Sequence, residues 1–224
     1  MKEITENQID KLLKDVASIK SALAENKPVL KQLLLPIHFR IISLIGGLAI
    51  IGLSILYYYL LEKYGSYYDI PGSLRTMSLL LVITAYILVV VLKRFLWVKS
   101  IKKMDSDYTF GKIIKQIYSY QLFHVWIPIQ LIMAFFIGYA IYFDYERYIV
   151  SVAGIGIGII YNSIGGITKI WQYLATGYWL IVTGILPFIL PGAPALLLLA
   201  LSMGVALILF FLISGRSLEI EEEE

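Results

Sequence analysis

Six long apolar stretches occupy the chain between Ile41 and Ile213, and their centres are almost free of charge. A run of about 20 apolar residues is what a helix needs to cross the hydrocarbon of a bilayer. Within lipid only a helix or a closed barrel satisfies its own backbone hydrogen bonds. Runs of this length predict helices. The expected fold is therefore all-α: a polytopic membrane helix bundle with six transmembrane helices and an N-terminal cytoplasmic amphipathic helix. The predicted spans are Ile41 to Leu61, Thr76 to Leu92, Leu122 to Phe143, Tyr148 to Ile167, Tyr173 to Leu190 and Ala195 to Ile213. A content of 59% hydrophobic and 16% charged residues is too apolar for a water-soluble domain of this length.

Cations orient the bundle. Six spans leave both termini on one side, and of the 19 lysines and arginines all but Lys63, Arg75 and Arg147 fall on that side. The positive-inside rule then places both termini in the cytoplasm of a multi-pass protein of the cell membrane. The tyrosines Tyr57, Tyr58, Tyr59, Tyr64, Tyr67 and Tyr68 gather where the first span leaves the outer face, as amphipathic rings do at headgroups. His38 and Arg40 flank the entry of the first span, where lipid phosphates meet them.

The sequence divides into a cytoplasmic arm (1–36), a transmembrane domain (37–214) with a basic cytoplasmic loop (93–120), and an acidic tail (215–224). In the arm, Ile9, Leu12, Val16, Ile19 and Leu23 repeat at the three-four spacing of an apolar helical seam, ended near Pro28. So short a helix is costly to nucleate alone and needs a surface to bury against. A second copy of the chain, a cytoplasmic protein or the membrane itself would serve. In the basic loop, Phe110, Ile113, Ile114 and Ile117 form a stripe beside Lys112 and Lys115. This pattern suits an interfacial helix held by anionic lipid. No nucleic-acid recognition motif accompanies these cations, so nucleic acid is not an expected partner.

No carboxylate, lysine or arginine lies in the centre of any predicted span, which disfavours a proton- or sodium-coupled pump and a voltage sensor. The neutral polar residues His124, Gln130, Asn162, Ser163, Thr183 and Ser202 fall toward the cytoplasmic half or the midplane. Pro128 would deprive the His124 carbonyl of its helical partner. Together these residues predict a cytoplasm-facing polar pocket between the third, fourth and fifth spans, set against ordinary hydrogen bonding between helices. Gly154 and Gly158, with Gly165 beyond them, mark the fourth span for close packing, since small residues four apart let two backbones approach.

Chemistry is sparsely represented. There are no cysteines, and two histidines, His38 and His124, offer no paired metal spacing. No cofactor or metal is expected. Ser163 with His124 is the one nucleophile and base pairing available, without a flanking motif to mark it. The sequence thus favours a non-catalytic membrane protein that acts through assembly or a cytoplasmic partner. The alternatives are a small transporter or channel for a neutral or weakly polar solute and, behind it, an intramembrane hydrolase.

Overall fold

A computed structural model describes residues 35–104, 120–143 and 145–221. The arm residues Ile9, Leu12, Val16, Ile19 and Leu23, most of the basic loop and the last glutamates lie outside the described residues. Every long element among the described residues is helical. Helix α1 (Pro36–Tyr64) is followed by α2 (Gly72–Met104), α3 (Tyr120–Tyr142), α4 (Ile149–Thr168) and α5 (Trp171–Ile189). The last helix, α6, runs through Ala195–Leu199 and Val205–Glu221, joined by a π-helical turn at Ala200–Gly204.

Five of these helices are long and apolar enough to cross a membrane: α1, α2, α4, α5 and α6. In α3 the apolar stretch Trp126–Tyr142 is shorter. The 33 residues of α2 extend about 50 Å, well past its apolar part, Gly72–Leu92, and into the lysine-bearing segment.

Local chemistry sets the ends. Pro36 sits in the first turn of α1, where its missing N–H costs nothing. Gly65, at φ 79°, reverses the chain after α1 while its N–H bonds to the Leu61 carbonyl at 2.8 Å. Between α4 and α5 the reversal takes two residues, with Lys169 at φ 58°. The Pro191, Gly192, Ala193 and Pro194 turn is closed by the Ala193 N–H on the Leu190 carbonyl at 3.1 Å.

Sequential helices run antiparallel. Tyr57 of α1 donates to Ser78 of α2 at 3.2 Å. Gly156 of α4 faces Met133 of α3, and Gly154, Gly158 and Gly165 of α4 face Gly184, Gly177 and Leu174 of α5. Helix α6 turns back to lie along α1, with Gly47 against Gly204 and Arg40 against Gly215. The bundle therefore has an Arg40 end and an Arg147 end. Helix α2 stands apart: it packs on α1 near Ser78, and Leu80, Ile83, Tyr86, Ile87 and Val91 are exposed.

Candidate functional site

Glycines bring α1, α4, α5 and α6 close enough for backbone to touch backbone. A Cβ built on Gly158 would fall 2.8 Å from the Gly177 carbonyl oxygen, and one on Gly47 would fall 2.8 Å from that of Gly204. The polar residues inside this packing sort into two levels.

Toward the Arg147 end, the Thr183 and Ser202 hydroxyls lie in hydrogen-bonding contact at 3.0 Å, and both side chains are buried. Gly154 leaves room for that pair, since a Cβ there would lie 3.1 Å from Ser202 Oγ. Beside it, the π turn breaks the regular ladder of α6. The Val205 N–H bonds back to Ala200 and Ser202, bypassing the Leu201 carbonyl that an α-helix would use. The Trp179 indole N–H donates to that released carbonyl at 3.1 Å. Ser151 lies one turn before Gly154 on α4, with its hydroxyl buried and unpartnered.

At the Arg147 rim, Arg147 Nη2 donates to the Pro187 carbonyl at 2.9 Å and the Leu190 carbonyl at 3.3 Å. These are carbonyls at the end of α5, where no further helical N–H follows and the helix dipole is negative. Tyr148 stacks on Phe188 with ring centroids 4.9 Å apart. The other cations at this end, Lys63 and Arg75, lie over the rings of Tyr64 and Tyr67 at 5.3 Å and 5.8 Å.

Toward the Arg40 end, Tyr161, Tyr173 and Phe210 form a triangle of rings with centroids 5.1 to 6.1 Å apart. Phe39, Trp126 and Ile129 pack against this cluster. Three buried polar atoms here have no hydrogen-bonding partner: Arg40 Nε, Trp126 Nε1 and Asn162 Oδ1. Asn162 is wedged against Gly177, where a Cβ would collide with its amide oxygen. The Arg40 guanidinium lies 4.7 Å from the centre of the Phe211 ring.

The expected pocket residues therefore separate. Asn162 belongs with Gly177, whereas Thr183 sits six residues further along α5, about 9 Å away, with Ser202. Ser163 donates to the Ile159 carbonyl of its own helix at 2.8 Å. Gln130 is exposed on the flank of α3, between Ile129, which packs on the ring cluster, and buried Met133. His124 lies within α3, and its side chain is outside the description. Among the described residues no cluster of His, Asp or Glu can hold a metal ion.

No protein-family model, curated protein or solved structure matches this chain.

The polar pattern of the span centres does not mark Trp126, Trp179 or Arg147, because each lies near a helix end or is counted among aromatics; Arg40 is marked by its place at the entry of the first span. The π turn has no sequence signature in the run Ala200–Gly204.

Proposed function

We propose that the chain is a six-span protein of the cell membrane, with both termini in the cytoplasm, that acts without catalysis by assembling with further copies of itself. The observation that supports this reading is Gln130. Its depth follows from Met133, which lies over Gly156: Gln130 is three residues, about 4.5 Å, along α3 from it and so is level with the middle of α4. An exposed carboxamide at that depth meets hydrocarbon, where an unmatched polar group costs several kcal/mol. A second copy offers the matching group. Across a two-fold axis each Gln130 amide donates to the other's carbonyl oxygen, a pairing that a symmetric interface makes twice. The amphipathic arm, with Ile9, Leu12, Val16, Ile19 and Leu23, supplies a cytoplasmic seam for the same assembly. Anionic lipid at the basic loop is its expected surroundings.

The test is association in the membrane. In vesicles carrying donor- and acceptor-labelled copies, Gln130→Leu should weaken energy transfer by about tenfold in apparent affinity, as loss of one to two kcal/mol of interhelical hydrogen bonding implies. Deletion of residues 1–27 should lower the oligomer mass in detergent. Association unchanged by either variant would refute the reading. The buried, unpartnered Asn162 Oδ1 favours a second reading, passage of a neutral or weakly polar solute. If that reading holds, Asn162→Leu abolishes flux into proteoliposomes while the oligomer persists.

A further inference from the structure

Beyond assembly, the Arg40 end carries a second kind of contact. Arg40 lies in the second turn of α1, within the stretch Phe39–Tyr64 that is long and apolar enough to span the bilayer. Its side chain is partly buried and does not simply extend along the surface. It turns into a notch between α1 and α6. The Phe211 ring forms one wall, 4.7 Å from the guanidinium carbon, and Gly215 forms the floor. A Cβ on Gly215 would fall 2.5 Å from Arg40 Nη2 and 2.8 Å from Cζ, so glycine is what allows the guanidinium to lie there. Nε is buried without a hydrogen-bonding partner. Buried Nε is out of a ligand's reach, so an anion would meet the guanidinium through its terminal nitrogens, and a charge held against a ring inside a span is costly unless a counter-charge lies near it.

We infer that Arg40, in this notch, binds the phosphate of an anionic lipid headgroup from the leaflet that meets this end of the bundle. The planar fork of a guanidinium matches two phosphate oxygens, and the bonds so formed are charge-assisted. A lipid is favoured over a free phosphate ion by what adjoins the notch. Ile41 and Leu212, next in sequence to Arg40 and Phe211, are exposed by 57% and 54%, and offer acyl chains apolar surface beside the headgroup site. The site is distinct from a general attraction of lysines to a charged surface, because it depends on a glycine that carries no charge.

The experiment uses the full chain purified in a neutral detergent, with melting followed through its four tryptophans. Phosphatidylglycerol, phosphatidylcholine of the same acyl chains and sodium phosphate are titrated at constant ionic strength. Phosphatidylglycerol should raise the melting temperature through a saturable component that phosphatidylcholine reproduces only at about tenfold higher concentration and sodium phosphate not at all. Arg40→Gln and Gly215→Ala should each weaken that component by about tenfold, the second without altering charge. Lys169→Gln, which removes an exposed cation at the same end, should retain it. Gly215→Ala decides the matter if Arg40→Gln fails to fold.

Three results would overturn the inference. The saturable component could survive Gly215→Ala. Sodium phosphate could produce it as well as lipid does, which identifies a free-anion site. Or Glu219→Gln and Arg40→Gln could lower the lipid-free melting temperature equally, which identifies a carboxylate of the chain itself as the partner.

Discussion

Three glycines of α4 provide an internally controlled test of the packing. They are Gly156, Gly158 and Gly166, and each becomes alanine. At Gly158 the new methyl would lie 2.7 Å from Ile181 Cγ1, 2.8 Å from the Gly177 carbonyl oxygen and 3.1 Å from the Ile181 nitrogen. Two of these are backbone atoms of α5, so relief requires the two helices to move apart. Overpacking of this kind costs about 1–3 kcal/mol, and alanine returns about 0.5–1 kcal/mol in helix propensity. The net loss is about 1–2 kcal/mol, a fall of about 3–6 °C in melting temperature for a chain of this size. At Gly166 nothing lies within 4 Å of the new methyl, so only the propensity gain remains and melting should rise by about 1–3 °C. At Gly156 the collision is with the thioether of Met133, whose flexible end can swing aside, and the effect should fall between the other two. Melting of the purified variants in one detergent gives the order directly. Gly158→Ala as stable as Gly166→Ala would mean that α4 and α5 do not approach as described, and the depth assignments of Asn162 and Thr183 would fall with it.

Two further substitutions probe the polar contacts at helix ends and at the π turn. Trp179→Phe keeps a ring but leaves the Leu201 carbonyl without its donor, and should destabilise by about 1 kcal/mol, whereas Trp171→Phe, at a position 52% exposed, should not; equal melting of the two would remove the role given to the indole N–H. Arg147→Met should free the end of α5, at a cost of about 1–2 kcal/mol, and speed proteolytic cleavage in the turn at Pro191 to Pro194; cleavage at the wild-type rate would show that the turn holds itself closed.

Hydropathy alone located the long apolar helices to within a few residues, because the bilayer dictates length and the backbone must be satisfied locally. Thr76 to Leu92 was the poorest match, since α2 begins at Gly72 and continues helically through Lys93 and Arg94 to Met104. Charge marks where a helix leaves the membrane and is silent on whether it ends there. Spacing in sequence also identifies a face without naming what covers it. Gly154 and Gly158 share a face of α4, yet their opposite numbers, Gly184 and Gly177, are seven apart on α5 and form no recognisable motif. The polar residues are less legible still. Depth can be counted along a helix, but the direction of a side chain around the axis depends on which neighbours pack there. That is why Gln130 and Asn162 look alike in sequence and differ in the fold.

Side-chain reach explains which polar residues are informative. A serine or threonine hydroxyl can turn back to the carbonyl one turn earlier in its own helix, and Ser163, Thr168, Thr176, Thr183 and Ser214 all do so. Such a hydroxyl is nearly indifferent to what surrounds the helix, and its presence says little about function; Ser202, which bonds across helices, and Ser151, buried without a partner, differ. Asn162, Gln130, Trp126 and Arg40 are in a different position. Their donors and acceptors stand farther from the main chain, where the carbonyls nearby are already committed to the helix. They need a partner from another element, as Trp179 and Arg147 find in carbonyls released by a π turn and a helix end. Where the chain supplies no such carbonyl, a buried group stays unmatched, as Asn162 Oδ1 and Trp126 Nε1 do, and only a group at the surface can be completed from outside. By that criterion exposed Gln130 and half-buried Arg40 are the positions at which the proposed assembly and the proposed headgroup contact are to be tested, while the serines and threonines around them are part of the frame.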